Sequence, residues 1–214
     1  NVAPLPPSIP FEEGAVLGCA GVTAWSAVSR SGLRPGDAAM VIGLGGVGMQ
    51  GVQVAKLFGA SPLVAVDVSE SKLAIARRLG ADVVVNASKE DPVAVARSFG
   101  EARGVDVAFE FIGFSKTLNQ AIRGVRGGGT AVMVGIPPGE VSFNGLSFNL
   151  EAKQLLAIQG HTNRELREVL LVRGRGLLKT GETITHRLPF AELEKAFAIL
   201  EGQEGDPVRV VLTH

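Results

Sequence analysis

Hydrophobic residues along this chain fall in short runs separated by amphipathic stretches. Nearly continuous apolar runs occupy residues 38–42, 62–67, 82–86, 105–110 and 129–134, and stretches with helical spacing occupy 47–58, 70–79, 91–98 and 115–123. The runs are rich in Val, Ile, Ala and Met at consecutive positions, as expected of strands covered on both faces. Strand and helix in regular alternation predict an α/β fold with a doubly wound parallel sheet. A sixth strand is predicted at 154–158. Boundary residues agree: Ser69 is placed to cap the helix that Gly80 ends, and Pro92 suits a first helical turn.

The pattern changes at both ends. Residues 1–12 read as a proline-rich linker and residues 13–30 as a helix of small side chains. Beyond about residue 161 the strand-helix unit no longer repeats: a helix is predicted near 164–173, a strand near 183–188, a helix over 191–200 and a strand over 208–213. The expected division is therefore 1–22, 23–161 and 162–214. There is no internal repeat or low-complexity segment. The start at Asn1, followed by Pro4, Pro6, Pro7 and Pro10, reads as the middle of a longer polypeptide or as a processed start.

Composition narrows the partners. The 214 residues are 46% hydrophobic and 20% charged, enough for one sizeable core and part of a second. Lys plus Arg and Asp plus Glu number 21 each, so no net field draws the chain to nucleic acid or to an anionic membrane. No uncharged apolar stretch approaches membrane-spanning length and no basic-then-apolar leader opens the chain, so a cytoplasmic location is expected. Cys19 is the only cysteine, which excludes an internal disulfide and a multi-cysteine metal module within the chain.

The chemistry is concentrated after the first predicted strand, in Gly43-Leu44-Gly45-Gly46-Val47-Gly48. Strand, glycines, helix, second strand and a terminal acid, Asp67, follow in the order of a dinucleotide site. Gly43 allows the tight turn, Gly45 and Gly46 admit a pyrophosphate close to the backbone, and Gly48 lets the helix pack on the sheet. The helix from Val47 aims its free N–H groups at the phosphates. Asp67 is placed to accept from both hydroxyls of an adenosine ribose. A 2′-phosphate roughly 4 Å from that carboxylate would cost about 4 kcal/mol per unit charge at an effective dielectric near 20. No arginine follows in Val68-Ser69-Glu70, so NAD is expected over NADP.

Further stretches extend beyond the glycine motif: Gly18-Cys19-Ala20-Gly21-Val22-Thr23-Ala24-Trp25, Gly36-Asp37, Lys72, Gly80-Ala81-Asp82, Gly104-Val105-Asp106, Val134-Gly135 and Arg209-Val210-Val211-Leu212. Together they make the chain resemble the cofactor-binding and C-terminal portion of zinc-type alcohol dehydrogenases, in the medium-chain dehydrogenase/reductase superfamily. The resemblance runs over essentially the whole chain and lacks the N-terminal catalytic domain. It implies a six-stranded Rossmann sheet over 23–161, with remnants of a GroES-like catalytic domain at both ends: linker and edge over 1–22, and over 162–214 a segment returning to that domain and leaving an exposed apolar patch in its absence.

By the same resemblance Cys19 matches a ligand of a catalytic zinc, whose other two ligands would lie upstream of Asn1. Thr23 and Val47 match residues beside the nicotinamide, and Val134 one whose backbone holds the carboxamide. Lys72 matches a side chain near the ribose, Phe111 and Ile112 positions flanking the adenine pocket, and Arg209 a pyrophosphate-binding arginine. His161, His186 and His214 show no spacing with Cys19 that resembles a ligand set. The implied activity is hydride transfer between a small alcohol or carbonyl and NAD in a homodimer or homotetramer, with an incomplete zinc site here. A zinc-independent quinone or enoyl reductase of the same superfamily, and a non-catalytic NAD-binding module, stay open as alternatives. The absence of tyrosine excludes a Tyr-Lys proton donor, and no Ser-His-Asp arrangement stands out.

Overall fold

Odd and even positions of the central strands pack on opposite sides of one sheet. Ala39, Val41, Leu63, Ala65, Val107 and Phe109 join one hydrophobic core, and Met40, Ile42, Val64, Val66 and Ala108 join another. Both faces are thus buried, which is why the strands read as unbroken apolar runs. The structure, a computed structural model, describes residues 2–100 and 103–213.

Six parallel strands form the sheet: β1 (Ala39–Ile42), β2 (Leu63–Asp67), β3 (Val83–Asn86), β4 (Val105–Glu110), β5 (Val125–Met133) and β6 (Gln154–Ala157). Their order is β3-β2-β1-β4-β5-β6, that of a Rossmann sheet, with the strand order reversing between β1 and β4. Numbered with them in chain order, α1 (Phe11–Val16), α2 (Val22–Arg30), α3 (Gly46–Leu57) and α4 (Glu70–Arg78) precede β3, and α5 (Pro92–Arg97) and α6 (Ser115–Gly124) flank β4. Residues of α2, α3 and α4 fill the first core, and residues of α5 and α6 the second. Ser69 caps α4 by accepting from the Lys72 N–H, and Pro92 stands in the first turn of α5.

Four departures from the sequence reading have local causes. The N-terminal helix begins at Phe11, and α1 and α2 are joined by a π-helical turn, Leu17–Gly21. Helical periodicity on either side conceals that extra residue. β5 begins at Val125, four residues before the apolar run, because the glycine triplet 127–129 continues the strand with a bulge opposite Val105–Val107. A Cβ at Gly129 would come within 2.9 Å of the Asp106 carbonyl oxygen, so the close approach requires glycine. A short helix, α7 (Gly145–Leu150), capped by Asn144, precedes β6. The strand expected near 183–188 forms at β7 (His186–Pro189), after a 3-10 turn at Thr180–Thr183.

The remaining elements are α8 (Asn163–Gly174), α9 (Leu193–Gly202) and β8 (Val210–Thr213), which pairs in parallel with β7. Polar side chains of α3 hold this segment: Gln50 donates to the Thr183 hydroxyl at 2.9 Å and Gln53 accepts from the Lys179 N–H at 2.6 Å. Glu13 on α1 accepts both arms of Arg173 at 2.6 and 2.8 Å. On α9, Leu193, Phe197 and Leu200 share one exposed face, with Phe190 exposed beside it in sequence. This is the apolar patch expected of the C-terminal segment.

The α8 terminus carries a pH-dependent tie. Glu165 takes the Arg30 fork at 2.7 and 2.8 Å and also accepts from the N–H and hydroxyl of Thr162. Burial pushes its carboxyl up, but the Arg30 and Thr162 donors outweigh burial and bring it from 4.5 to about 2. The folded value is depressed, so the stabilisation is complete above pH 4.5 and is lost as pH falls toward 2. Glu165→Gln is expected to destabilise the chain by about 2 kcal/mol at neutral pH. In urea unfolding the gap to wild type should close across that acid window.

Candidate cofactor site

The C-terminal ends of β1 and β4 open onto the crevice where the strand order reverses, the position that binds ligands in doubly wound sheets. Two loops meet there. Gly43 follows β1 with φ of 90°, and a Cβ on it would come within 2.5 Å of Ile112 Cγ1 on the loop after β4. Gly45 is the extended N-cap of α3, exposed, with nothing near its Cβ position. A Cβ at Gly48 would fall on the carbonyl oxygen of Gly43, so α3 begins in direct contact with the turn.

Arg209 comes back to this loop from the opposite end of the chain. Its guanidinium lies against Gly46, on the space that a side chain there would fill. The Nε is buried and donates to no partner. Burial pushes the guanidinium below its ordinary value, opposed by the neighbouring Cys19 side chain. Its main chain is fixed independently, since the Arg209 carbonyl accepts from the Thr185 N–H at 2.9 Å and hydroxyl at 3.0 Å.

Asp67 ends β2. One carboxylate oxygen accepts from the Leu44 N–H at 2.7 Å, and the other from the N–H groups of Val68 and Ser69 at 2.8 and 3.0 Å. The acid thus fastens the glycine turn to the start of α4 and stays half-buried at the mouth of a cleft. That cleft, about 130 Å³, is lined by Val66, Asp67, Ala87, Ile112, Lys116 and Thr117, among others. Ile112 lines it, whereas Phe111 packs on α3, its ring close to the Cβ positions of Gly48 and Gly51. Lys72 lies in the first turn of α4, near Asp206.

A second cleft, about 320 Å³, lies between the π-helical turn and β8, lined by Val16, Cys19, Ala20, Arg209 and Val211, among others. Cys19 is exposed. Val47 packs with Val16, Ala20 and Ile184, which joins the start of α3 to this cleft. Thr23 is half-buried in the first turn of α2, and Val134 follows β5 with its N–H donating to the Glu110 carbonyl at 2.9 Å. His186 contacts the Thr185 hydroxyl, His161 follows β6, and His214 lies outside the described residues. Among the described residues no group of three His, Cys, Asp or Glu side chains could hold a metal ion, and no helix is long and apolar enough to cross a membrane.

Two residues of this region escaped the sequence reading. Glu110 is fully buried, and its carboxylate accepts from Ile112 N–H, Gly113 N–H and the Thr117 hydroxyl at 2.8 Å each. It shapes the loop that touches Gly43. An acid ending an apolar strand was the available signal, the same one that marked Asp67. Asp206 contacts Ser69 and Ser71 from 135 and more residues away, and a Gly-Asp-Pro turn carries no sign of that.

Comparison with known proteins gives a consistent result. The profile of a family described as zinc-binding dehydrogenase matches residues 46–172. An alcohol dehydrogenase of Geobacillus stearothermophilus is 34% identical over 94% of this chain and 58% of its own length. An L-threonine 3-dehydrogenase of Rhizobium rhizogenes is 32% identical over 97% of this chain and 60% of its own. Among solved structures, the alcohol dehydrogenase TADH from Thermus sp. ATN1 superposes with a TM-score of 0.91 at 30% identity, covering 99% of this chain and 61% of that one. The chain spans about three fifths of the length of these relatives.

Proposed function

The chain belongs to the zinc-binding dehydrogenase family, and from that premise we propose that it is the NAD-binding portion of a zinc-dependent alcohol or polyol dehydrogenase. The observation that carries the cofactor assignment is Arg209: a half-buried arginine whose buried Nε has no partner, lying against the glycine turn at the start of α3. An anion on that turn would meet the helix N-terminus and the guanidinium together. The residues present therefore fit a dinucleotide pyrophosphate.

In this reading Gly43 makes the turn, Gly45 and Gly46 let the pyrophosphate approach the backbone, Gly48 seats α3 against the turn, and Asp67 takes the ribose hydroxyls with Lys72 beside it. Ile112 covers the adenine, while Phe111 supports α3 underneath. Thr23 and Val47 bound the nicotinamide end. Val134 has already committed its N–H to Glu110, so its carbonyl is the group to hold a carboxamide. NAD, when bound, supplies the hydride acceptor or donor, and the chain's task is to orient it.

Zinc stands differently. Cys19 is exposed in the cleft it shares with Arg209 and is proposed as one metal ligand. The described residues do not complete a site around it, and no catalytic step is assigned through the metal. Small alcohols or carbonyl compounds as substrates, and assembly into dimers or tetramers, belong to the same proposal.

The test is a fluorescence titration with NADH and NADPH. Wild type should prefer NADH. Asp67→Ser should weaken NADH binding and narrow the ratio of the two affinities by about tenfold or more, since it removes the charge facing a 2′-phosphate. Unchanged affinities in the variant would remove the ribose site from this position.

A further inference from the structure

The C-terminal segment brings a second carboxylate to the turn that Asp67 controls. Gln203, Gly205 and Asp206 take φ of 52°, 70° and 53°, a left-handed stretch that Asp tolerates better than most residues. This path aims the Asp206 carboxylate at the start of α4, where one oxygen accepts from the Ser69 hydroxyl at 3.0 Å and the Ser71 hydroxyl at 2.9 Å. Ser69 is consequently held from two sides: its N–H donates to Asp67 and its hydroxyl to Asp206.

The location matters because the N-terminus of α4 is the natural place for an additional phosphate next to the ribose. The helix dipole favours an anion there. Lys72 would add a positive charge. Asp206 already occupies that end of the helix, and the hydroxyls of Ser71 and Ser69, with the charge of Lys72, keep its carboxyl below the usual range. Glu70, the next acid, is engaged by Lys89 and Asn86.

We propose that Asp206 is a second specificity-determining residue of the cofactor site, which excludes a 2′-phosphate by filling the anion-attracting end of α4 and offsetting Lys72. The inference rests on the NAD reading given above. It differs from a purely structural tie between the C-terminal segment and α4, because the tie needs a hydrogen-bond acceptor and the exclusion needs a charge.

Asp206→Asn separates the two, keeping an acceptor oxygen while removing the charge. The full chain, as wild type, Asp206→Asn and Asp67→Ser, would be titrated with NADH and NADPH at low and high salt, with thermal melts as the folding control. Asp206→Asn is expected to raise NADPH affinity about fivefold at low ionic strength, to leave NADH affinity within about twofold, and to lose most of the NADPH gain in high salt. Unchanged NADPH affinity in Asp206→Asn, with Asp67→Ser still narrowing the ratio, would overturn the role of Asp206 and leave the ribose site standing. Loss of the Asp67 effect as well would overturn both. A variant that gains equally for NADH and NADPH would also count against a phosphate-specific role.

Discussion

Gly48→Ala is expected to destabilise the chain by about 3 kcal/mol or more and to abolish NADH binding. The added Cβ falls on the carbonyl oxygen of Gly43, a backbone atom with no room to retreat. Gly43 is tied to β2 by its N–H on the Val66 carbonyl at 2.9 Å, is confined by Ile112, and has a positive φ that few other residues accept. Relief must come from moving α3 off the sheet. Neighbouring glycines calibrate the effect. A Cβ at Gly51 meets only the edge of the Phe111 ring at 2.8 Å, which can tilt, so alanine there should cost about 1 kcal/mol. At Gly45 nothing lies near the Cβ position and φ is −71°, so Gly45→Ala should leave stability within about 0.5 kcal/mol while weakening NADH binding. Urea midpoints and NADH titrations on the three variants check this. A wild-type midpoint for Gly48→Ala would show that the turn is not rigid, and undiminished binding by Gly45→Ala that no ligand approaches it.

That contrast also shows what a sequence can carry. The role of Gly48 was legible because strand, turn and helix are contiguous, and local order fixes how they meet. The four internal strands, β1, β2, β4 and the apolar part of β5, were legible for a similar reason, since burial on both faces writes itself as Val, Ile and Ala runs. Val125–Arg126 was not, because its apolar content is broken by Gly127, Gly128 and Gly129, and their role as strand residues depends on Asp106 across the sheet. The π-helical turn at Cys19 was invisible for a different reason: one inserted residue leaves the small side chains on both sides in helical spacing. Phe111 and Ile112 read alike as apolar strand-end residues, yet the alternation of backbone direction sends one under α3 and the other into the cleft. Asp206 reaches α4 only after the chain has passed through the remaining strands and helices, so no local pattern could announce it.

Arg209→Met tests whether the structure is organised for an anion. The guanidinium is partly desolvated and its buried Nε donates to no partner, an arrangement that costs folding free energy. Methionine keeps the length and apolar stem of the side chain and removes the stranded donor. The variant is therefore expected to be more stable than wild type by about 1 kcal/mol. Its NADH affinity should fall by about 100-fold, the value of a partly buried charge-assisted contact to phosphate. Stability and binding moving in opposite directions is the signature of a residue held for a ligand. A purely structural arginine would give the reverse, with a lower urea midpoint and little change in NADH affinity. Pyrophosphate offers a second readout: as a competitor it should displace NADH from wild type, and its binding should show the same loss in Arg209→Met. If the variant is less stable and binds NADH as wild type does, the pyrophosphate does not lie at Gly46, and the cofactor reading would rest on Asp67 and the glycine turn alone.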